Sequence, residues 1–153
     1  MPCKERPYLS NMKSIEVVAA VIACGDRILA VQRGPGKFPY ISYKFEFPGG
    51  KVEAGEEPEE ALCREIQEEL GMTIAVNEFL MTVEHPYPDF ELRMHCYRCT
   101  VPEPTLQLTE HVQALWCLPS ELRALDWAAA DIPVVDRLLA DGTYNSYYSA
   151  VIV

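Results

Sequence analysis

Three glutamates, Glu65, Glu68 and Glu69, stand at i, i+3 and i+4 in the segment Arg64-Glu65-Ile66-Gln67-Glu68-Glu69-Leu70-Gly71-Met72. On a helix that spacing projects the carboxylates from one face. Like charges held this close raise one another's pKa and oppose folding unless something cationic neutralises them. Hard divalent cations such as Mg²⁺ take oxygen ligands and keep positions for water and phosphate oxygens, so the pattern suits a metal site that receives a polyphosphate. The span from Gly49 to Met72 holds eight of the chain's 23 acidic residues, which sharpens the need for a cation. Upstream, Gly49 and Gly50 place no Cβ in the way of a metal approaching the backbone carbonyl. Taken alone, the glutamates fit equally well a solvated acidic helix face.

The elements that would position these groups follow from local pattern. Pro58 suits the first turn of a helix and Gly71 its C′ position, which predicts a helix over 58–70. Leu62, Ile66 and Leu70 would form its buried stripe, with Cys63 at the edge. Ser14 to Cys24 reads as a buried strand, Gly25-Asp26 as a tight turn, and Arg27 to Gln32 as the hairpin partner. The loop composition of 34–43 leads through a short extended stretch, 44–47, into Pro48-Gly49-Gly50. Strands are expected over 74–84, 90–100 and 112–118, and helices over 119–125 and 131–141. Within 90–100, strict alternation predicts a strand with one face in solvent. Interleaved strands and helices imply one α/β (α+β) domain over 1–153, a mixed β-sheet sandwiched between α-helices. Residues 1–13 and 142–153 read as extensions, the latter either an edge strand or the cover of an apolar patch.

Composition narrows the partners. With 153 residues, 49% hydrophobic and 24% charged, the chain is expected to build a core. A net charge of −10 argues against a nucleic-acid polymer or a membrane surface as partner, since both are met with basic patches. The first residues, MPCKERPYLSN, carry no apolar core of a leader, and a cytoplasmic location is expected. Cys3, Cys24, Cys63, Cys96, Cys99 and Cys117 read as free thiols, mostly buried, with Cys96 and Cys99 on opposite faces of a strand. His85, His95 and His111 fit no ligand spacing and are read as surface or strand residues. Tyr8, Tyr40, Tyr43 and Tyr87 are candidates for stacking on a base. A homodimer is left open.

The whole pattern, Gly50, five residues, Glu56, seven residues, then Arg64-Glu65-Ile66-Gln67-Glu68-Glu69-Leu70-Gly71-Met72, resembles the signature box of the Nudix hydrolases at every fixed position. Chance agreement at all of them is on the order of one in 10⁸. Phe45-Glu46-Phe47-Pro48-Gly49-Gly50-Lys51 is similar to the lead-in of the MutT-like branch, with Phe45 in place of tryptophan. The resemblance implies the Nudix fold and a Mg²⁺-dependent hydrolysis, with Mn²⁺ as substitute, of a nucleoside triphosphate to the monophosphate and pyrophosphate. It implies Gly49, Glu56, Glu65, Glu68, Glu69 and Glu110 around the metal, with Arg64 orienting a glutamate. Arg33, Lys51 and Asp131 would meet the substrate, and Glu65, Glu68 or Glu110 would take a proton from water.

Asp131 stands where the branch carries an asparagine that contacts the base. An ionised aspartate only accepts hydrogen bonds, so it would favour cytosine or an oxidised purine such as 8-oxo-guanine and disfavour uracil and thymine. Its other reading is a cap on the closing helix. CTP, dCTP or 8-oxo-dGTP is thus the expected substrate, in a role of nucleotide-pool sanitation. Two alternatives remain: another nucleoside diphosphate derivative, or a nucleotide sensor without turnover.

Overall fold

The computed structural model describes residues 13–141. Cys3, Tyr8 and the expected C-terminal segment lie outside them. Strand β1 (Lys13–Cys24) and β2 (Arg27–Gln32) flank the Gly25-Asp26 turn, followed by β3 (Phe45–Glu46), β4 (Gly49–Lys51) and helix α1 (Pro58–Leu70). Then come β5 (Ala75–Pro86), β6 (Phe90–Thr100) and β7 (Gln113–Cys117), 3₁₀ turns at Pro119–Ala124 and Ala129–Asp131, and helix α2 (Ile132–Asp141). The seven strands form one sheet in the order β3-β2-β1-β6-β5, with β4 also on β1 and β7 also on β2. Because β1 runs parallel to β6 while the other pairs are antiparallel, the sheet is mixed, as expected.

Both faces of the sheet are covered. Val18, Ala20 and Ile22 of β1 pack with Leu62, Ile66 and Leu70 of α1, while Ala19 and Val21 on the opposite face join the cluster holding Val134, Val135 and Leu138 of α2. Full burial of a Leu or Ile side chain contributes about 2 kcal/mol, so the α1 stripe alone anchors the helix firmly. Ala61 is buried beside that stripe, whereas Cys63 faces solvent. Two sequence expectations need correction. The second half of β6 is not half exposed: Tyr97 and Cys99 are buried on the α1 side while Cys96 is buried on the other. The predicted closing helix over 131–141 starts one residue later, Asp131 ending the preceding 3₁₀ turn.

What positions the site is a fork in the sheet. The β1–β2 hairpin pairs only at its closed end, Ala23 with Ile28 and Cys24 with Arg27. Farther along, β1 takes β4 as partner at Val17 to Ala19, while β2 takes β3 at Val31 and Gln32. Between the arms, the Pro48 carbonyl accepts from the Ala20 amide at 2.8 Å. At Gly49 the approach is so close that a Cβ would lie 1.9 Å from the Val18 carbonyl oxygen. No side chain fits there, a packing reason beyond metal access.

Gly49→Ala must push backbone against backbone, and a loss of about 3 kcal/mol or more is expected in denaturant unfolding. Gly25→Ala, with nothing within 4 Å of the added Cβ but a φ of +61°, should cost only about 1 kcal/mol.

Candidate active site

Helix α1 is delimited by local chemistry. The Glu60 carboxylate accepts from the Glu57 amide at 3.3 Å, Pro58 opens the first turn, and Gly71, at φ 64°, donates to the Gln67 carbonyl at 3.0 Å. Its last turn carries Glu68 and Glu69 and no basic residue, which sets two negative charges against the negative end of the helix dipole.

Arg64 answers part of that charge. Its guanidinium lies 2.7 Å from Glu56, 2.9 Å from Glu65, 3.4 Å from Glu68 and 3.8 Å from Glu53, and it donates to the Lys51 carbonyl at 3.1 Å. Both oxygens of Glu56 are engaged by Arg64, and one also accepts from the Glu53 amide at 2.9 Å. These hydrogen bonds hold the Glu56 carboxyl down at about 2. The three helix glutamates therefore do not all aim one way. Glu65 and Glu68 turn to Arg64, whereas Glu69 turns into a pocket of about 600 Å³.

The pocket is lined by charged and polar side chains, Arg33, Glu46, Lys51, Glu69, Glu110, His111 and Asp131, together with apolar ones that include Phe38, Phe90, Leu92 and Met94. Of the residues singled out in the sequence, Gly49, Arg33, Lys51, Glu69, Glu110 and Asp131 line it, while Glu56, Arg64, Glu65 and Glu68 lie outside its lining. Tyr87 is also at the pocket, stacked on Tyr40 at 5.3 Å, whereas Tyr43 is exposed. The Tyr87 hydroxyl accepts from the Ala130 amide, and Tyr40 donates to Asp89, so both rings are fixed.

Glu46 and His111 were not recognised in the sequence. The Glu46 carboxylate accepts from Arg33 at 3.2 Å and lies 2.9 Å from His111 Nε2. Histidine spacing gave no hint of this, because the pairing joins residues 65 positions apart. The signal that was present is a charged residue at Glu46, inside the otherwise apolar and small run Phe45 to Gly50.

Asp131 requires a correction. It is buried, and its Oδ1 accepts from the Phe47 amide at 3.0 Å. Burial, reinforced by the nearby Glu46 charge, pushes its carboxyl well above the usual range, which favours the protonated acid over the ionised, accept-only aspartate. Its Oδ1 is engaged by Phe47, not by an amide of α2, which displaces the helix-cap reading.

The donors fit a hard divalent cation. Among the described residues no three His, Cys, Asp or Glu side chains converge as a finished ligand set. Two features nonetheless offer oxygen. Glu69 Oε2 is buried with no hydrogen-bond partner. The Glu65 carboxylate fills the space over Gly50, where a Cβ would lie 2.3 Å from its Oε2. Burial raises the Glu69 carboxyl to about 7, with Glu65, Glu46 and Glu110 adding to the rise and His111 opposing it.

A carboxyl whose pKa moves from 4.5 in the unfolded chain to about 7 in the native one keeps its proton where the unfolded chain has lost it. Its contribution is therefore full below about 4.5 and declines as pH rises to about 7. In metal-free protein at constant ionic strength, wild type should lose melting temperature relative to Glu69→Gln across that window. Glu56, held at about 2, acts in a separate window, losing its contribution only as pH falls below about 4.5.

Comparison with known proteins follows the same lines. A NUDIX domain matches residues 12–138. Over 129 residues the chain is 37% identical to the CTP pyrophosphohydrolase of Escherichia coli (strain K12), spanning 84% of this chain and 94% of that protein. It is 29% identical over 127 residues to the 8-oxo-dGTP diphosphatase of the same organism, 83% of this chain and 98% of the relative. The solution structure of the E. coli ORF135 protein superposes with a TM-score of 0.72 at 38% identity, covering 86% of this chain and 93% of that one. MutT from Methanosarcina mazei Go1 gives 0.77 at 20% identity over 87% and 98% of the chains, which speaks for the fold. The chain belongs to the Nudix family, hydrolases that use a divalent metal and act on nucleotides.

Proposed function

We propose that the protein hydrolyses nucleoside triphosphates, with CTP foremost, to the monophosphate and pyrophosphate, removing unwanted nucleotides from the pool. The observation that carries this reading is the mixed lining of the pocket. Its cationic and carboxylate groups suit a metal-bound polyphosphate, and its aromatic and aliphatic groups suit a base. The name of the E. coli relative at 37% identity points to CTP.

Glu65, Glu68, Glu69 and Glu110, with Glu56 and the Gly49 carbonyl, are the groups proposed to hold Mg²⁺, or Mn²⁺ in its place. Such a cation, when bound, offsets negative charge on the phosphate oxygens as a Lewis acid. Arg33 and Lys51 bind the phosphates from the pocket wall. Arg64 keeps Glu56 and Glu65 oriented through the contacts described above. Attack by water forms one P–O bond and breaks another to pyrophosphate, and the water proton passes to Glu65, Glu68 or Glu110.

Glu68→Gln or Glu69→Gln should lower kcat by about a hundredfold or more with unchanged circular dichroism, since each removes a charged ligand. Near-normal turnover in both would overturn the ligand assignment. Millimolar Mg²⁺ should also raise the melting temperature of wild type at matched ionic strength, as binding to the native state alone requires.

Base choice falls to Asp131 as a neutral acid. With Oδ1 occupied by the Phe47 amide, its other oxygen carries a donor, which an asparagine Nδ2 reproduces. Asp131→Asn should therefore retain the wild-type order of kcat/KM among CTP, UTP, dGTP and 8-oxo-dGTP, with CTP first. A reordered series would restore the ionised reading. No turnover of any triphosphate by wild type would remove the proposed function itself.

A further inference from the structure

We propose that Glu46 is a positioning residue for the hydrolysis, setting Arg33 against the phosphates and, through His111, fixing the loop that carries Glu110. This role rests on the functional reading above. Glu46 belongs to β3, which pairs with β2, and its carboxylate spans two directions at once. One oxygen accepts from Arg33 Nη1 at 3.2 Å, just beyond the end of β2, and the other lies 2.9 Å from His111 Nε2 in the segment entering β7. A carboxylate accepts at both oxygens, so His111 donates from Nε2 and keeps Nδ1 as the other ring nitrogen. Nδ1 is buried and has no partner among the described residues, a cost of the kind that native structures retain where a group's placement matters.

The geometry gives each contact a distinct job. Arg33 has part of its side chain in solvent and would otherwise sample many rotamers; the Glu46 contact limits them before a phosphate arrives. Glu110 is exposed and adjoins His111, which is almost wholly buried. The loop is further pinned by the Val112 amide, which donates to the Gln32 carbonyl at 3.0 Å. Thus the exposed carboxylate is carried on a segment anchored one residue later by Glu46. Neither Glu46 nor His111 has to touch a reacting atom for this to hold.

The test is a mutant cycle in the full chain, read with CTP and with amide exchange. His111→Ala removes the tether, whereas His111→Gln retains a side-chain donor for Glu46 and should recover most of the lost kcat/KM. Glu110→Gln should cost at least tenfold in kcat/KM in wild type, yet less than threefold in His111→Ala, because Glu110 is already misplaced there. Glu46→Gln, which offers one acceptor in place of two, should raise KM about tenfold through Arg33. In metal-free protein, Val112 exchange should quicken at least tenfold in His111→Ala and stay within twofold of wild type in His111→Gln. Additive effects of His111→Ala and Glu110→Gln, or no rescue by His111→Gln, with wild type active on CTP, would overturn the positioning role alone. A wild type inactive on every triphosphate would overturn the functional reading, and this role with it.

Discussion

A single guanidinium organises the acidic side of this protein. Arg64 reaches Glu53, Glu56, Glu65 and Glu68 and the Lys51 carbonyl, and so joins the end of β4, the loop after it and the second half of α1. Without it, carboxylates at the C-terminal half of a helix would face both one another and the helix dipole. The arrangement also divides labour among residues of the same type. Four glutamates are held by a fixed positive charge, while Glu69 is left in the pocket with a buried oxygen that nothing among the described residues satisfies.

The pocket inherits its shape from the fork between β1 and β2. Because β4 must lie against Val18 with no room for a Cβ at Gly49, the loop from Phe47 to Gly50 is pinned to the sheet. Asp131 completes this from the other end of the chain by accepting from the Phe47 amide, and Trp127 stacks on the Phe47 ring at 4.6 Å. Phe47 is thus held from both directions, and Glu46 is its neighbour in the chain.

Much of this was legible in residue types and spacing, for reasons specific to each element. Helix α1 was bounded correctly because Pro58 and Gly71 act through local backbone geometry, which needs no tertiary knowledge. The hairpin around Gly25-Asp26 and strand β6 were placed for the same reason. Burial of Tyr97 was not legible, since it depends on α1 crossing over that half of β6. The burial of Asp131 and the upward push on its carboxyl were not legible, because its surroundings come from Phe47 and Glu46, more than eighty residues away. Glu46 and His111 escaped notice on the same ground: their meaning lies in a contact between β3 and the approach to β7, while each looks ordinary in its own neighbourhood.

The parallel pairing of β1 with β6 has a consequence for how the molecule reaches its native state. Lys13 pairs with Phe90 and Ala23 with Thr100, so the centre of the sheet forms only when segments 77 residues apart in sequence meet. Closing such a loop costs entropy before any burial repays it, whereas α1 and the β5–β6 hairpin can form from neighbours in sequence. Local pieces thus come first and the β1–β6 seam later. Until that seam closes, the edge of β6 that β1 takes is an unpaired row of amides and carbonyls, and this long-range step is where folding competes with aggregation.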